Sequence, residues 1–242
     1  MIVSEVMTTR LITVLPDDTL SHAANLLRQY QFHHLPVVRT APPFGRIDTG
    51  KGPHPVLEGL ITSQDIDLAA AVGTSSSDIL HRPWQERRVL EVMNSATIRV
   101  TPTTSVAAAA QILVERGLNC LPVVEYERPE TTASGEQDEA LTSPLLVGLL
   151  TRSDLLIALA RSLGAFEPGM QLGISLPLGD LTPLAKTLTL AAELHIKVRS
   201  VLAAPLEGNV PLSATVRLGT INPAPLLVRL QEEHIEYSFA DV

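Results

Sequence analysis

Apolar positions in the first two thirds of the chain follow one pattern, and it occurs twice. Ile12 and Val14, and then the run Leu35–Val38, have the spacing of strands, the second run apolar enough to be buried on both faces. Between them Leu20, Ala23, Ala24 and Leu27 recur at helical spacing, which predicts a helix with Thr19 as its N-cap. Val106, Ala109, Ala110 and Leu113 repeat that stripe behind Ser105. A strand around Val56–Ile61, or Leu145–Leu150, then leads into a helix opened by Thr62 or Thr151. Each unit therefore reads strand, helix, strand, strand, helix.

The two copies superimpose residue by residue. Val3–Val38 lies over Val89–Val124 at a constant offset of 86, with identities at Glu5/Glu91, Met7/Met93, Ile12/Ile98, Val14/Val100, Pro16/Pro102, Ala23/Ala109, Leu27/Leu113 and the two Leu-Pro-Val-Val runs. A second block, GLITSQDIDLAAA from Gly59, matches GLLTRSDLLIALA from Gly148 at an offset of 89. Two connectors separate the blocks: Arg39–Pro55, rich in Pro and Gly, and the polar, acidic Glu125–Pro144. Neither carries a motif, and both are expected to be mobile.

From Met170 the period changes. Leu172, Ile174, Leu176 and Leu178 alternate like a half-buried strand, and Leu181, Leu184, Ala185, Leu188 and Ala192 return to helical spacing. Lys197–Ala204 and Ser213–Leu218 read as strands around the turn signal PLEGN, Pro223–His234 as a helix, and Ile235–Phe239 as a last strand. The expected fold class is α/β (α+β), a repeated pair followed by a ferredoxin-like βαββαβ domain. The boundaries read 1–72 and 89–162 for the repeats, 73–88 and 163–169 for linkers, and 170–242 for the last domain.

Composition narrows the function. With 45% apolar and 18% charged residues the chain is globular, and its net charge of −8 disfavours nucleic acid and anionic membranes as partners. The single cysteine, Cys120, fits a reducing compartment, and the absence of a secretory signal or a long apolar run points to the cytoplasm and away from membranes.

The sharpest chemistry is Thr62-Ser-Gln-Asp65 and its copy Thr151-Arg-Ser-Asp154, each at a strand-to-helix junction. One reading is a capping box. The other is a ligand site, with a helix start facing a phosphate and a short carboxylate accepting both hydroxyls of a ribose. The spacing alone leaves both open. No coherent nucleophile, base or metal cluster accompanies the motifs, so an enzyme is not expected and no catalytic cofactor is implied. His33 and His34 lack further ligands for a metal. Cys120 reads as a buried, inert thiol, and Arg82, Arg87 and Arg88 around Trp84 as a solvated connector.

Two units ending GLITSQD and GLLTRSD, with HLPVV and CLPVV upstream, resemble a tandem pair of cystathionine-beta-synthase (CBS) domains over residues 1–160. The remainder resembles an ACT domain, and the whole arrangement is similar to the AcuB family of acetoin utilisation. The resemblance implies a regulatory homodimer, formed through the CBS and ACT-like domains, whose two clefts bind AMP, ADP or ATP. It places the riboses on Asp65 and Asp154 and puts Thr62 and Thr151 beside the sugar or α-phosphate. The adenine pockets would be lined near Thr13–Val14 and Arg99–Val100, with Ile61, Leu150, His34 and Cys120 alongside. His33 and Asn119 stand where the family reaches phosphates. Arg152 is the better phosphate partner, because a guanidinium binds two oxygens at once. Its counterpart is Ser63, so the second cleft is expected to bind more strongly. An alternative is an amino-acid-responsive ACT regulator with the CBS pair as scaffold, although Thr182 stands where that family has glycine.

Overall fold

The computed structural model describes residues 1–41, 54–75, 82–126, 143–203, 205 and 210–239. Most of both long connectors, and of the turn at 205–209, lies outside the described residues. The chain divides into two units, Met1–Leu155 and Leu156–Val242.

In the first unit the elements run α1 (Leu20–Tyr30), β1 (His34–Ala41), β2 (His54–Thr62), α2 (Ser63–Ser75), α3 (Val106–Glu115), β3 (Cys120–Tyr126), β4 (Pro144–Thr151) and α4 (Arg152–Ser162), the last crossing into the second unit. Leu20, Ala23 and Leu27 are the buried stripe of α1, and the Thr19 hydroxyl accepts from the His22 amide at 3.2 Å. In α3 the stripe is Ala109 and Leu113, and Ser105 accepts from Ala108 at 3.1 Å. Each hydroxyl satisfies an amide that a helix start leaves without an intrahelical acceptor, worth about 1 kcal/mol.

The strands form one antiparallel sheet in the order β1-β2-β4-β3, joined across its middle by Val56 opposite Leu145. Register repeats with the sequence: His34 lies opposite Thr62 and Cys120 opposite Thr151, and both hairpin pairs shift register at the Val-Val step. The expected first strand of each unit shrinks to a single parallel bridge, Val14 with Val37 and Val100 with Val123. Prolines explain this: Pro16 and Pro102 follow two residues on, and Pro36 and Pro122 on the neighbouring strand have no N–H to donate.

The short arm before each repeat packs on the other repeat. Val3 donates to Thr104 and Ser4 to Pro102, while Val89 donates to Asp18 and Leu90 to Pro16, all at 2.8–3.0 Å. Val3 is accordingly buried in the core of the second repeat with Leu113, Leu121, Val123 and Leu150, and Val89 in that of the first with Leu20, Leu35, Val37 and Ile61. Val38, Leu57, Val124 and Leu146 join the two cores.

The second unit carries β5 (Met170–Ser175), α5 (Thr182–Glu193), β6 (Val198–Leu202), β7 (Ser213–Leu218), α6 (Ala224–Glu232) and β8 (Tyr237–Phe239), a βαββαβ order. Its sheet is antiparallel in the order β6-β7-β5-β8. The alternation expected to run to Leu178 stops at the fully buried Leu176. Pro177 opens a 3-10 turn there, and Leu178 is exposed with a φ of 53°. Helix α5 is rotated from the expected stripe: it buries Leu184, Thr187, Leu190 and Ala191, and Ala185 and Ala192 are exposed. Thr187 tolerates burial because its hydroxyl donates to the Pro183 carbonyl at 2.8 Å.

Candidate functional site

Both Thr-x-x-Asp motifs sit where a strand becomes a helix, and both form the capping box. Asp65 Oδ2 accepts from the Thr62 amide at 2.8 Å and hydroxyl at 2.7 Å, and Thr62 Oγ1 accepts from the Asp65 amide at 3.1 Å. Asp154 and Thr151 repeat this at 2.8, 2.7 and 3.2 Å. The first amide of each helix is also taken, Ser63 by the His33 carbonyl at 3.1 Å and Arg152 by that of Asn119 at 3.2 Å. The capping reading of the sequence is therefore realised in both copies.

The second carboxylate oxygens differ. Asp154 Oδ1 accepts from the Thr8 hydroxyl at 3.3 Å, brought there because the arm bridges Thr8 to Leu149 on β4. At the matching position of the other arm stands Asn94, whose side chain turns to the Ala96 amide at 3.0 Å. Among the described residues nothing donates to Asp65 Oδ1.

The two helix starts border one cleft of about 630 Å³, within the range of small-molecule sites. Its walls bring together His33, His34, Thr62 and Ser63 from the first repeat, Asn119, Thr151 and Arg152 from the second, and Thr8, Arg10 and Ile12 from the arm and the segment after it. Arg152, expected to serve the second repeat, thus shares a cleft with Thr62 and Ser63 of the first. Among the described residues no carboxylate-bearing side chain lines this cleft. Arg10 and Arg152 are exposed and make no ion pair with a described carboxylate. In a chain of net charge −8, this places two guanidinium groups, unpaired among the described residues, around a cavity that no described acid lines.

The remaining expected residues lie away from the cleft surface. Val14, Ile61, Val100, Cys120 and Leu150 are buried, four of them in the two repeat cores, so any part they take in binding falls to their backbone. Thr13 is half-buried, Arg99 exposed, and Asp65 and Asp154 half-buried. Burial pushes the Cys120 thiol up to about 12. Burial also holds the His34 imidazole below its ordinary value, helped by His33 and opposed by Asp65. His34 is therefore a neutral polar group at pH 7. Among the described residues no cluster of three or more His, Cys, Asp or Glu is placed to hold a metal. No helix among them is long and apolar enough to cross a membrane.

Sequence reasoning missed Arg10 and Phe32. Arg10 had a legible signal, because its repeat position holds Ala96. Phe32, half exposed at the cleft and stacked on Tyr30 with ring centroids 5.7 Å apart, had none.

The family model for the CBS domain matches residues 3–71 and 89–130, one match in each repeat. The second match ends before β4, so Thr151–Asp154 is tied to the first motif by the repeat and the geometry rather than by the family model. The chain is 27% identical to the CBS domain-containing protein YhcV of Bacillus subtilis (strain 168) over 123 residues, 51% of this chain and 72% of that protein. It is similar to the crystal structure of a Vibrio cholerae protein that bears the acetoin-utilization name AcuB, at 25% identity and a TM-score of 0.46 over 69% of this chain and 98% of that one. It is also similar to CBSX2 in complex with AMP, at 23% identity and a TM-score of 0.42 over 65% of this chain and 95% of that one.

Proposed function

We propose that the CBS pair is a regulatory sensor that binds an adenine nucleotide, AMP, ADP or ATP, in the 630 Å³ cleft and does no chemistry on it. The observation that carries this reading is the conjunction at that cleft of two helix starts, two arginines that pair with no described carboxylate and a lining without acid among the described residues. Such a surface suits a phosphate ester: guanidinium groups pair phosphate oxygens, and a helix start favours negative charge. Asp65 lies outside that lining, held by its Oδ2 against the lining residue Thr62, and is the proposed acceptor for a ribose hydroxyl that reaches past Thr62. Its Oδ2 is spent in the capping box, and Oδ1 remains for a ribose hydroxyl. A regulatory role follows if the nucleotide prefers one of two arrangements of the repeats, since a ligand shifts an equilibrium only through such a difference.

The same proposal includes a cytoplasmic homodimer and a link to acetoin utilisation. Dimerisation through the C-terminal unit is supported by the edge strand β6, which exposes Val198, Val201 and Leu202. The amino-acid alternative gains no support at its turn, where Asp180 Oδ1 is occupied by the amide and hydroxyl of Thr182 at 2.9 and 2.6 Å.

Calorimetry on protein refolded free of nucleotide tests the reading. At least one of AMP, ADP and ATP binds, and Asp65→Asn, which keeps a capping acceptor but offers the ribose one oxygen fewer, weakens binding about tenfold. Absence of binding by all three nucleotides sinks the proposal.

A further inference from the structure

Both arginines of the cleft stand at positions where the repeat departs from itself in charge. Arg10 has Ala96 as its counterpart at the offset of 86, and Arg152 has Ser63 at the offset of 89. They come from different elements. Arg152 opens α4, with its amide fixed to Asn119. Arg10 lies where the chain passes from Thr8, bridged to Leu149 of the second repeat, to Val14, bridged to Val37 of the first. Both nevertheless line one cleft, with Thr62, Ser63 and Thr151.

One guanidinium satisfies a single terminal phosphate through two oxygens. That leaves a monophosphate one terminal oxygen, so a second guanidinium, carried on a separate segment and paired with no described carboxylate, is fully matched only by a further phosphate. Accepting the nucleotide reading above, we infer that this cleft selects adenine nucleotides with two or more phosphates over AMP, and that Arg10 is the residue that sets the preference. Arg152 meets the phosphate nearest the helix starts and Arg10 the one beyond it. His34 adds no fixed charge here, being held neutral by its burial, so the discrimination rests on the arginines.

The test is calorimetry of nucleotide-free full-length protein with AMP, ADP and ATP, repeated on Arg10→Gln and Arg152→Gln. The wild-type chain binds ADP or ATP at least tenfold more tightly than AMP. Arg10→Gln lowers ADP and ATP affinity about tenfold and AMP affinity much less, and a urea unfolding midpoint equal to that of the wild type shows that the variant is folded. Arg152→Gln weakens all three. The inference is overturned, with the nucleotide reading intact, if wild type binds AMP as tightly as ATP or if Arg10→Gln weakens all three alike. Failure of every nucleotide to bind overturns both.

Discussion

Gly59 and Gly148 hold the same place in the two repeats, two residues inside the strand end that precedes each Thr-x-x-Asp motif, and each faces the arm of the opposite repeat. A methyl group added at Gly59 would lie 2.6 Å from the Asn94 carbonyl oxygen, 3.2 Å from its carbon and 3.3 Å from Met93 Sδ. That oxygen cannot move freely, because it accepts from Leu60 at 3.0 Å while Asn94 donates back to Leu60 at 2.8 Å. At Gly148 the three nearest atoms to the methyl all belong to the Met7 side chain, with Sδ at 2.5 Å, and Met7 can swing aside. Overpacking against fixed groups costs about 1–3 kcal/mol and a weakened backbone bond about 1 more, whereas a shifted methionine rotamer costs about 1. Restricting the unfolded chain returns about 0.4–1 kcal/mol at either position. Gly59→Ala is therefore expected to lose about 2–3 kcal/mol and Gly148→Ala less than about 1. Urea unfolding measures the difference directly, and a thermal midpoint lower by about 5–10 °C for Gly59→Ala alone corresponds to it. Equal losses in the two variants would refute the claim that the exchanged arms close on the sheet through these glycines.

Two further outcomes concern titratable groups. His34 is held below its ordinary value of 6.5 chiefly by burial, so as pH falls the unfolded chain takes up this proton before the folded one does. The stability it contributes is complete above about pH 6.5 and is lost as pH falls toward the folded value. Unfolding free energy from about pH 7.5 to about pH 5.5 therefore declines more steeply in the wild type than in His34→Gln, and parallel slopes would contradict this. Cys120, buried with its thiol raised to about 12, is not attacked by a thiol-reactive disulfide reagent in the native protein and reacts fully in denaturant. Rapid native labelling would mean that the β3 edge of the second repeat opens.

The sequence carried most of the fold because its units repeat. Caps at Thr19 and Ser105, both helical stripes and the paired strands ending in Thr62 and Thr151 all fall where periodicity put them. What it could not show was exchange between the copies. A sequence alignment assigns Val3 to the first unit and Val89 to the second, whereas packing buries each in the other's core, an exchange that two arms of nearly the same sequence do not reveal. In α5, with apolar residues on two faces, the spacing put the stripe on Leu184, Ala185, Leu188 and Ala192, whereas packing buries Leu184, Leu190 and Ala191. The Thr-x-x-Asp motif was legible, and the choice between cap and ligand site was not, because both uses require the same backbone turn.

On the proposed reading the two uses share one carboxylate without excluding each other, and this sharing reverses the ranking that the residue types alone suggest. By sequence the second repeat is better equipped, with Arg152 against Ser63. In three dimensions Arg152 turns out to border the cleft that holds Thr62, His33 and His34, so the first repeat's residues gain its charge and that of Arg10 as well. The second repeat's carboxylate meanwhile has both oxygens engaged, Oδ2 in its own capping box and Oδ1 by Thr8. A ribose hydroxyl arriving at Asp154 must displace the Thr8 hydroxyl, while one arriving at Asp65 displaces no hydrogen bond among the described residues. With similar acceptors, the site that needs no displacement fills first. The difference originates at one pair of repeat positions, threonine at 8 and asparagine at 94, where a hydroxyl reaches the carboxylate and an amide turns back to its own chain.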